Sequence, residues 1–142
     1  MLTTLDLIRD NTEKIAFTWI AGQEAAGQRL IPEMSSSAAD LIGHLNFIHP
    51  SRIQVFGNEE LSYYCRFEAK RRRHHLEDLV AGGVPAIVLA AGIPAPDDLR
   101  GFCTEHGIPL VGTLTDASQV IDLLRVYLGK RLAPKTTIHG VF

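Results

Sequence analysis

Apolar residues recur along this chain with two different periods, and the period changes partway through. Near the amino end Leu5, Leu7 and Ile8 form a short apolar face behind Thr3 and Thr4. Either threonine can accept a hydrogen bond from a free helix amide, and Asp6 suits the positive helix end, so a helix running to about Asn11 is predicted. Ile15 to Ile20 is rich in β-branched and aromatic residues and Gly22 breaks the pattern. That predicts a strand feeding a glycine-containing loop through Gly27. A second short strand is expected over Arg29 to Met34. Ser35, Ser36 and Ser37 then offer capping oxygens, and Ala38, Leu41 and Ile42 follow at helical spacing, which predicts a helix ending near Gly43.

From Ile53 onward strand and helix signals alternate. Ile53, Val55 and Phe56 read as a strand before Gly57, and Asn58 is placed to cap a helix whose first turn holds Glu59 and Glu60. Leu61, Tyr64 and Cys65 share its face. Apolar periodicity lapses from Arg66 to His75 and resumes at Leu76, Leu79 and Val80, so a break between two helices is expected before Gly82 and Gly83 end the second. Val84 to Ala90 is almost continuously apolar, as a strand covered on both faces of a parallel sheet should be, and is the expected central strand. Pro96 suits the first position of a helix with Leu99, Phe102 and Cys103 inward, Gly107 suits its left-handed end, and Ile108 can pack back on it. Pro109 to Gly112 reads as the next strand. Thr115 opens an amphipathic helix with Val120, Leu123, Leu124, Tyr127 and Leu128 on its buried side. Thr136 to Phe142 reads as a further strand weakened by Gly140, and a chain ending inside a strand suggests that another domain follows it. The order argues for an α/β layered fold: a mostly parallel sheet flanked by helices.

Length and charge narrow the function classes. A chain of 142 residues with 46% hydrophobic composition forms one domain with a real core, and a formal net charge of -2 gives no overall attraction to nucleic acid or anionic membranes. Neither a signal segment nor a run long enough to span a membrane is present, and Cys65 and Cys103 lack disulfide-framework spacing, which fits a cytoplasmic protein.

Each candidate chemistry has a simpler structural account. Gly22 and Gly27 imitate the first half of a phosphate-binding loop, but Gln28 and Arg29 stand where Lys and Ser or Thr are needed, so a turn is expected. Lys70, Arg71, Arg72, Arg73, His74 and His75, extended by Arg66, form the one dense basic run. Glu68, Glu77 and Asp78 flank it and no aromatic residue is interleaved, so a solvated helix face is expected ahead of a partner surface, and nucleic acid last. The six histidines, including His44 and His49, show no metal-binding spacing. Cys103 and His106 lie one turn apart with no third group to orient them, and Asp97 with Asp98 is a helix-start preference before it is an acid/base dyad.

Three segments carry a family resemblance: SRIQVFGNEELSYY at Ser51 to Tyr64, GIPLVGT at Gly107 to Thr113, and above all LAPKTTIHGVF at Leu132 to Phe142. In this order they resemble the HPr kinase/phosphorylase family, over essentially the whole chain. The resemblance implies an amino-terminal α/β domain over 1–133, similar in architecture to the first domain of Mur ligases, and a linker with the first strand of a kinase domain over 134–142. It implies a parent enzyme that phosphorylates a serine of HPr, the phosphocarrier of the sugar phosphotransferase system, with ATP or pyrophosphate and Mg, reverses this by phosphorolysis, and assembles as a hexamer. His139 matches a histidine counted among the family's active-site residues, whereas the P-loop belongs to the portion beyond Phe142. For the present chain the resemblance implies a non-catalytic regulatory or assembly domain without a cofactor of its own, whose partners are HPr and its own kinase domain. The Mur-like architecture supplies the alternative, a module sensing a nucleotide or sugar phosphate at the strand ends near Ala91 to Pro94 and Gly112 to Thr115.

Overall fold

A computed structural model describes residues 1–32 and 37–133. The helix α1 spans Thr4–Asp10, and Thr3 caps it: the Thr3 hydroxyl accepts from the Asp6 amide while the Asp6 carboxylate accepts from the Thr3 amide, both at 3.1 Å. That reciprocal pair satisfies two free donors at once. Among the described residues five strands follow as β1 (Thr18–Ala21), β2 (Ile42–His44), β3 (Ile53–Phe56), β4 (Ile87–Leu89) and β5 (Leu110–Gly112). They form one sheet in the order β1-β5-β4-β3-β2, with β4 at its centre. The four strands from β2 to β5 run parallel and β1 pairs antiparallel with β5, Thr18 opposite Gly112 and Trp19 opposite Val111.

Side-chain alternation distributes two cores over the two faces. Val55, Val88 and Val111 point to one face and pack with Leu7 and Ile8 of α1 and with Val120, Leu124 and Leu128 of α5 (Ala117–Arg131). Phe56, Ile87, Leu89 and Leu110 point to the other. They meet Tyr64 of α2 (Asn58–Arg66), Leu76 and Leu79 of α3 (Ala69–Ala81), and Leu99, Phe102 and Cys103 of α4 (Asp97–His106). A strand covered on both sides must be apolar throughout, which explains the unbroken run at β4. The exception among the β3 residues is Gln54, 1% exposed. Its Oε1 accepts from the Asn46 amide at 2.8 Å and its Nε2 donates to the His49 and Arg52 carbonyls at 2.9 and 3.1 Å, so the loop from 45 to 52 is tied to the strand by its side chain.

Several local expectations are corrected. The helix expected over Ala38 to Gly43 is a single 3-10 turn at Ala38–Asp40 followed by β2, because Ile42 and Gly43 pair with Ile53 and Gln54. Ladder hydrogen bonds and burial of Ile42 outweigh a spacing that suits either element. In the region expected as a strand from Arg29, the described part holds one bridge, Thr3 to Leu30, and Met34 lies outside the described residues, as do Ser35 and Ser36. The first strand is shorter than Ile15 to Ile20 suggested; Ile15 is buried ahead of it. Gly57, not Asn58, holds the cap position of α2, with its amide bonded to Glu60 Oε1 at 2.7 Å. Pro96 is the cap of α4 and not its first residue, and Asp116, not Thr115, caps α5 by accepting from the Gln119 amide at 2.8 Å. The break between helices falls at Phe67 and Glu68, which leaves the basic run entirely on α3. Gly107 closes α4 at φ 63°, and the Ile108 amide returns to the Cys103 carbonyl at 2.9 Å. The strand expected over Thr136 to Phe142 lies outside the described residues.

Candidate functional site

Open α/β sheets bind ligands at the carboxyl ends of their strands, where loops diverge to opposite faces. Here α5 lies on one face of the sheet and α2 on the other, and their amino ends approach so closely that a Cβ on Gly57 would sit 3.2 Å from the Ala117 Cβ. Two hollows lie at this edge. One, of about 320 Å³, is lined by Ala16, Thr18, Ile20 and the segments Gly92–Ile93 and Gly112–Thr115, and so includes much of the predicted position. The other, of about 550 Å³, is open and lies between His44, Gly57, Glu60, Ala91, Asp116 and Ser118.

The turn that leaves β4 separates the two hollows. Ala90 donates to the Phe56 carbonyl at 2.8 Å, Ala91 to Thr115 at 2.8 Å and Gly92 to Thr113 at 2.9 Å, which straps the turn to its neighbours on both sides. Ala91 takes φ 56°, a left-handed conformation that costs energy in a residue with a Cβ. Nothing in the sequence marks Ala91 as special, because the strain comes from these three tertiary hydrogen bonds.

The electrostatics of the edge oppose a phosphate ligand. Free amides at a helix start attract anions, but here a carboxylate of the chain already bonds one amide at each start and brings negative charge to it: Glu60 bonds the Gly57 amide and Asp116 the Gln119 amide. Glu60 also lies 3.5 Å from His44 Nδ1. Among the described residues neither hollow is lined by Lys or Arg. The smaller one is mostly apolar, and Leu114, 87% exposed, stands at its rim.

The other candidates resolve into structural roles. Gly22 has φ 72°, and a Cβ there would meet the Ile108 carbonyl oxygen at 2.1 Å, so the glycine-containing loop exists to let two backbones touch. Arg29 at its end donates from Nε to the Gly107 carbonyl at 3.1 Å and from Nη2 to the His106 carbonyl at 2.9 Å, which satisfies the end of α4. Cys103 is fully buried, and burial pushes its thiol up to about 12. His106 stacks on Phe102 at 4.0 Å with Nδ1 3.1 Å from the Phe102 carbonyl, so the two form no nucleophile pair. Asp97 pairs with Arg100 at 2.8 Å, and Asp98 accepts from Arg72 at 2.7 Å and from Tyr64 at 3.1 Å. Among the described residues no group of three or more His, Cys, Asp or Glu is arranged to hold a metal, and no helix is long and apolar enough to cross a membrane. His139 lies outside the described residues.

The geometry therefore defines a layered α/β domain whose strand-end loops are strapped by backbone hydrogen bonds and whose helix starts there are capped by its own side chains. The family described as HPr Serine kinase N terminus matches residues 2–128, and the chain belongs to it. It is 60% identical over 142 residues to an HPr kinase/phosphorylase of Bordetella parapertussis, covering 100% of this chain and 46% of that protein. An HPr kinase/phosphorylase of Paraburkholderia xenovorans is 43% identical over 136 residues, covering 94% of this chain and 42% of that protein. One from Cupriavidus necator is 41% identical over 144 residues, with 99% and 45% covered. The chain thus spans less than half the length of the curated relatives it matches.

Proposed function

We propose that this chain acts as the non-catalytic regulatory or assembly domain of a bifunctional HPr(Ser) kinase/phosphorylase that controls the sugar phosphotransferase system in the cytoplasm. The observation that carries the reading is the match itself: the whole chain aligns with the HPr kinase/phosphorylase of Bordetella parapertussis, within 46% of that protein's length. The strand-end edge supports it, because acid-capped helix starts and hollows lined, among the described residues, by no Lys or Arg make a poor cradle for ATP, pyrophosphate or a sugar phosphate. In this reading ATP or pyrophosphate with Mg, and HPr itself, are handled by the remainder of a hexameric parent, where His139 joins the active site.

The test compares three proteins: this chain, the complete kinase/phosphorylase, and the complete protein lacking residues 1–133. Phosphorylation of HPr by ATP with Mg is expected from the complete protein and not from this chain. Removal of 1–133 is expected to change subunit assembly or effector response while leaving the transfer step intact. HPr phosphorylation by the isolated chain would refute the proposal, and so would a complete loss of chemistry in a well-folded truncated enzyme.

A further inference from the structure

The start of α3 runs against the dipole of its own helix. Positive partial charge gathers at a helix amino end, which favours Asp and Glu there and disfavours Lys and Arg. The other long helices obey: Glu59 and Glu60 begin α2, Asp97 and Asp98 begin α4, and Asp116 caps α5. By contrast α3 has no acid in its first turn, the Glu68 side chain makes no capping bond, and Lys70, Arg71, Arg72 and Arg73 crowd its beginning. Two of these cations are matched. Arg72 meets Asp98 at 2.7 Å, and Arg73 meets Glu77 at 3.7 Å and Glu105 at 3.6 Å. Lys70 and Arg71, like the preceding Arg66, have no carboxylate within 4.0 Å among the described residues.

Apolar and aromatic surface lies beside the unmatched cations, brought there by the fold and invisible within the basic run itself. Tyr63, 45% exposed, contacts Phe67 edge-on at 5.0 Å, and the Arg71 guanidinium lies over the Phe67 ring at 5.6 Å. His75 is stacked on Phe47 at 4.3 Å and tilted against Phe67 at 4.8 Å. Next to Phe47 in the same loop stands Ile48, 83% exposed. Aromatic residues and arginine are the types enriched where proteins meet.

We infer that this surface, with Tyr63, Phe67 and Ile48 flanked by Arg66, Lys70 and Arg71, docks an acidic protein segment carrying an apolar anchor. Charge selects the occupant. Three unmatched cations call for carboxylates, and the exposed Tyr63 and Ile48 call for an apolar side chain among them. A nucleic-acid strand fits worse, since Glu68 and Asp78 line the same concavity as Lys70 and Arg71 and would repel a continuous phosphate backbone. A short peptide can place its acids clear of them.

The experiment uses the chain and two variants. Lys70→Glu puts an acid in the first turn of α3, so this variant is expected to melt no lower than the native chain; a lower midpoint would mean that Lys70 serves the fold and would overturn the inference. Binding is then followed by amide chemical shifts with a synthetic peptide of glutamates around a central Phe, beside oligothymidylate as the alternative ligand. Shifts are expected at residues 47–48 and 63–74, with affinity falling as salt rises and by about tenfold or more in K70E/R71E. Peptide shifts elsewhere, or an affinity unchanged in the double variant, would overturn the inference. Tighter binding of oligothymidylate at these residues would replace it with a nucleic-acid surface.

Discussion

Arg72 of α3 and Asp98 of α4 meet at 2.7 Å, and Tyr64 of α2 donates to the same carboxylate oxygen at 3.1 Å. One aspartate thus joins all three helices on that face of the sheet, and Arg72 extends the network by donating to the Phe67 carbonyl at the break between α2 and α3. Asp98→Ala is expected to lower the urea midpoint more than Tyr64→Phe does. The phenol loses one hydrogen bond, of about 1 kcal/mol, whereas the aspartate change strips both donors at once. Equal midpoints for the two variants would show that the three helices are held independently of this carboxylate.

The two adjacent leucines of α5 are not equivalent. Leu124 is fully buried within the core formed with Val55, Val88 and Val111, while Leu123 is half-buried at its margin. Leu124→Ala should cost about 2 to 5 kcal/mol through the cavity it leaves, and Leu123→Ala distinctly less. Chemical denaturation of both variants checks the order.

Two glycines give opposite expectations for the same substitution. Gly22→Ala forces a Cβ into the Ile108 carbonyl at a positive φ and should destabilise by well over about 1 kcal/mol. Gly101, inside α4, has nothing within 4 Å of an added Cβ, so Gly101→Ala should stabilise by up to about 1 kcal/mol. Thermal melts of the pair separate close backbone approach from helix propensity.

Histidine 75 sets a pH dependence. Burial holds its pKa below the ordinary histidine value, aided by Arg71 and His74 and opposed by Asp78, and both ring nitrogens are buried without a hydrogen-bond partner among the described residues. The unfolded chain therefore binds the proton at a higher pH than the folded one. The associated stability is fully present above the ordinary histidine range and declines as pH falls through it towards the lower folded value. The melting midpoint should drop between about pH 7 and pH 5, and His75→Phe, which keeps an aromatic ring between Phe47 and Phe67, should flatten that part of the curve. A profile unchanged by the substitution would assign the drop to another group.

The two cysteines should react in sequence. Cys65 is exposed and Cys103 is buried with its thiol pushed up to about 12. A thiol reagent is expected to modify one cysteine in the native chain and the second only after unfolding, which mass spectrometry reads directly.

Elements with one local signal were legible in the sequence. Strands β3 and β5 and the bodies of α4 and α5 stand where hydrophobic period and Gly107 place them, and β4 is central as expected but covers only Ile87–Leu89 of the apolar run Val84 to Ala90. Ile42 was not legible. Its spacing from Ala38 suits a helix, and only pairing with Ile53, across an intervening loop, makes it a strand. At the strand-end edge the positions of Gly92 and Gly112–Thr115 were readable from the α/β pattern. The capping of Gly57 by Glu60 was half visible as an acidic first turn, but the strain at Ala91 was not visible at all. The aromatic residues that meet the basic run were hidden for the same reason as Ile42: Phe47 comes from the loop after β2, and Tyr63 and Phe67 from the preceding helix and its end.

Among the described residues the sheet places its first strand, β1, beside its last, β5, since Thr18 faces Gly112. On the ribosome the amino-terminal strand therefore emerges long before its partner exists, at a synthesis rate of about 5–20 residues per second. β2, β3 and β4 can pair among themselves while β1 waits with its ladder groups in water, and the sheet gains its antiparallel edge only when β5 clears the exit tunnel. The order in which this domain is made thus differs from the order in which it can be completed, because β1 can take its place in the sheet only once β5 has been made.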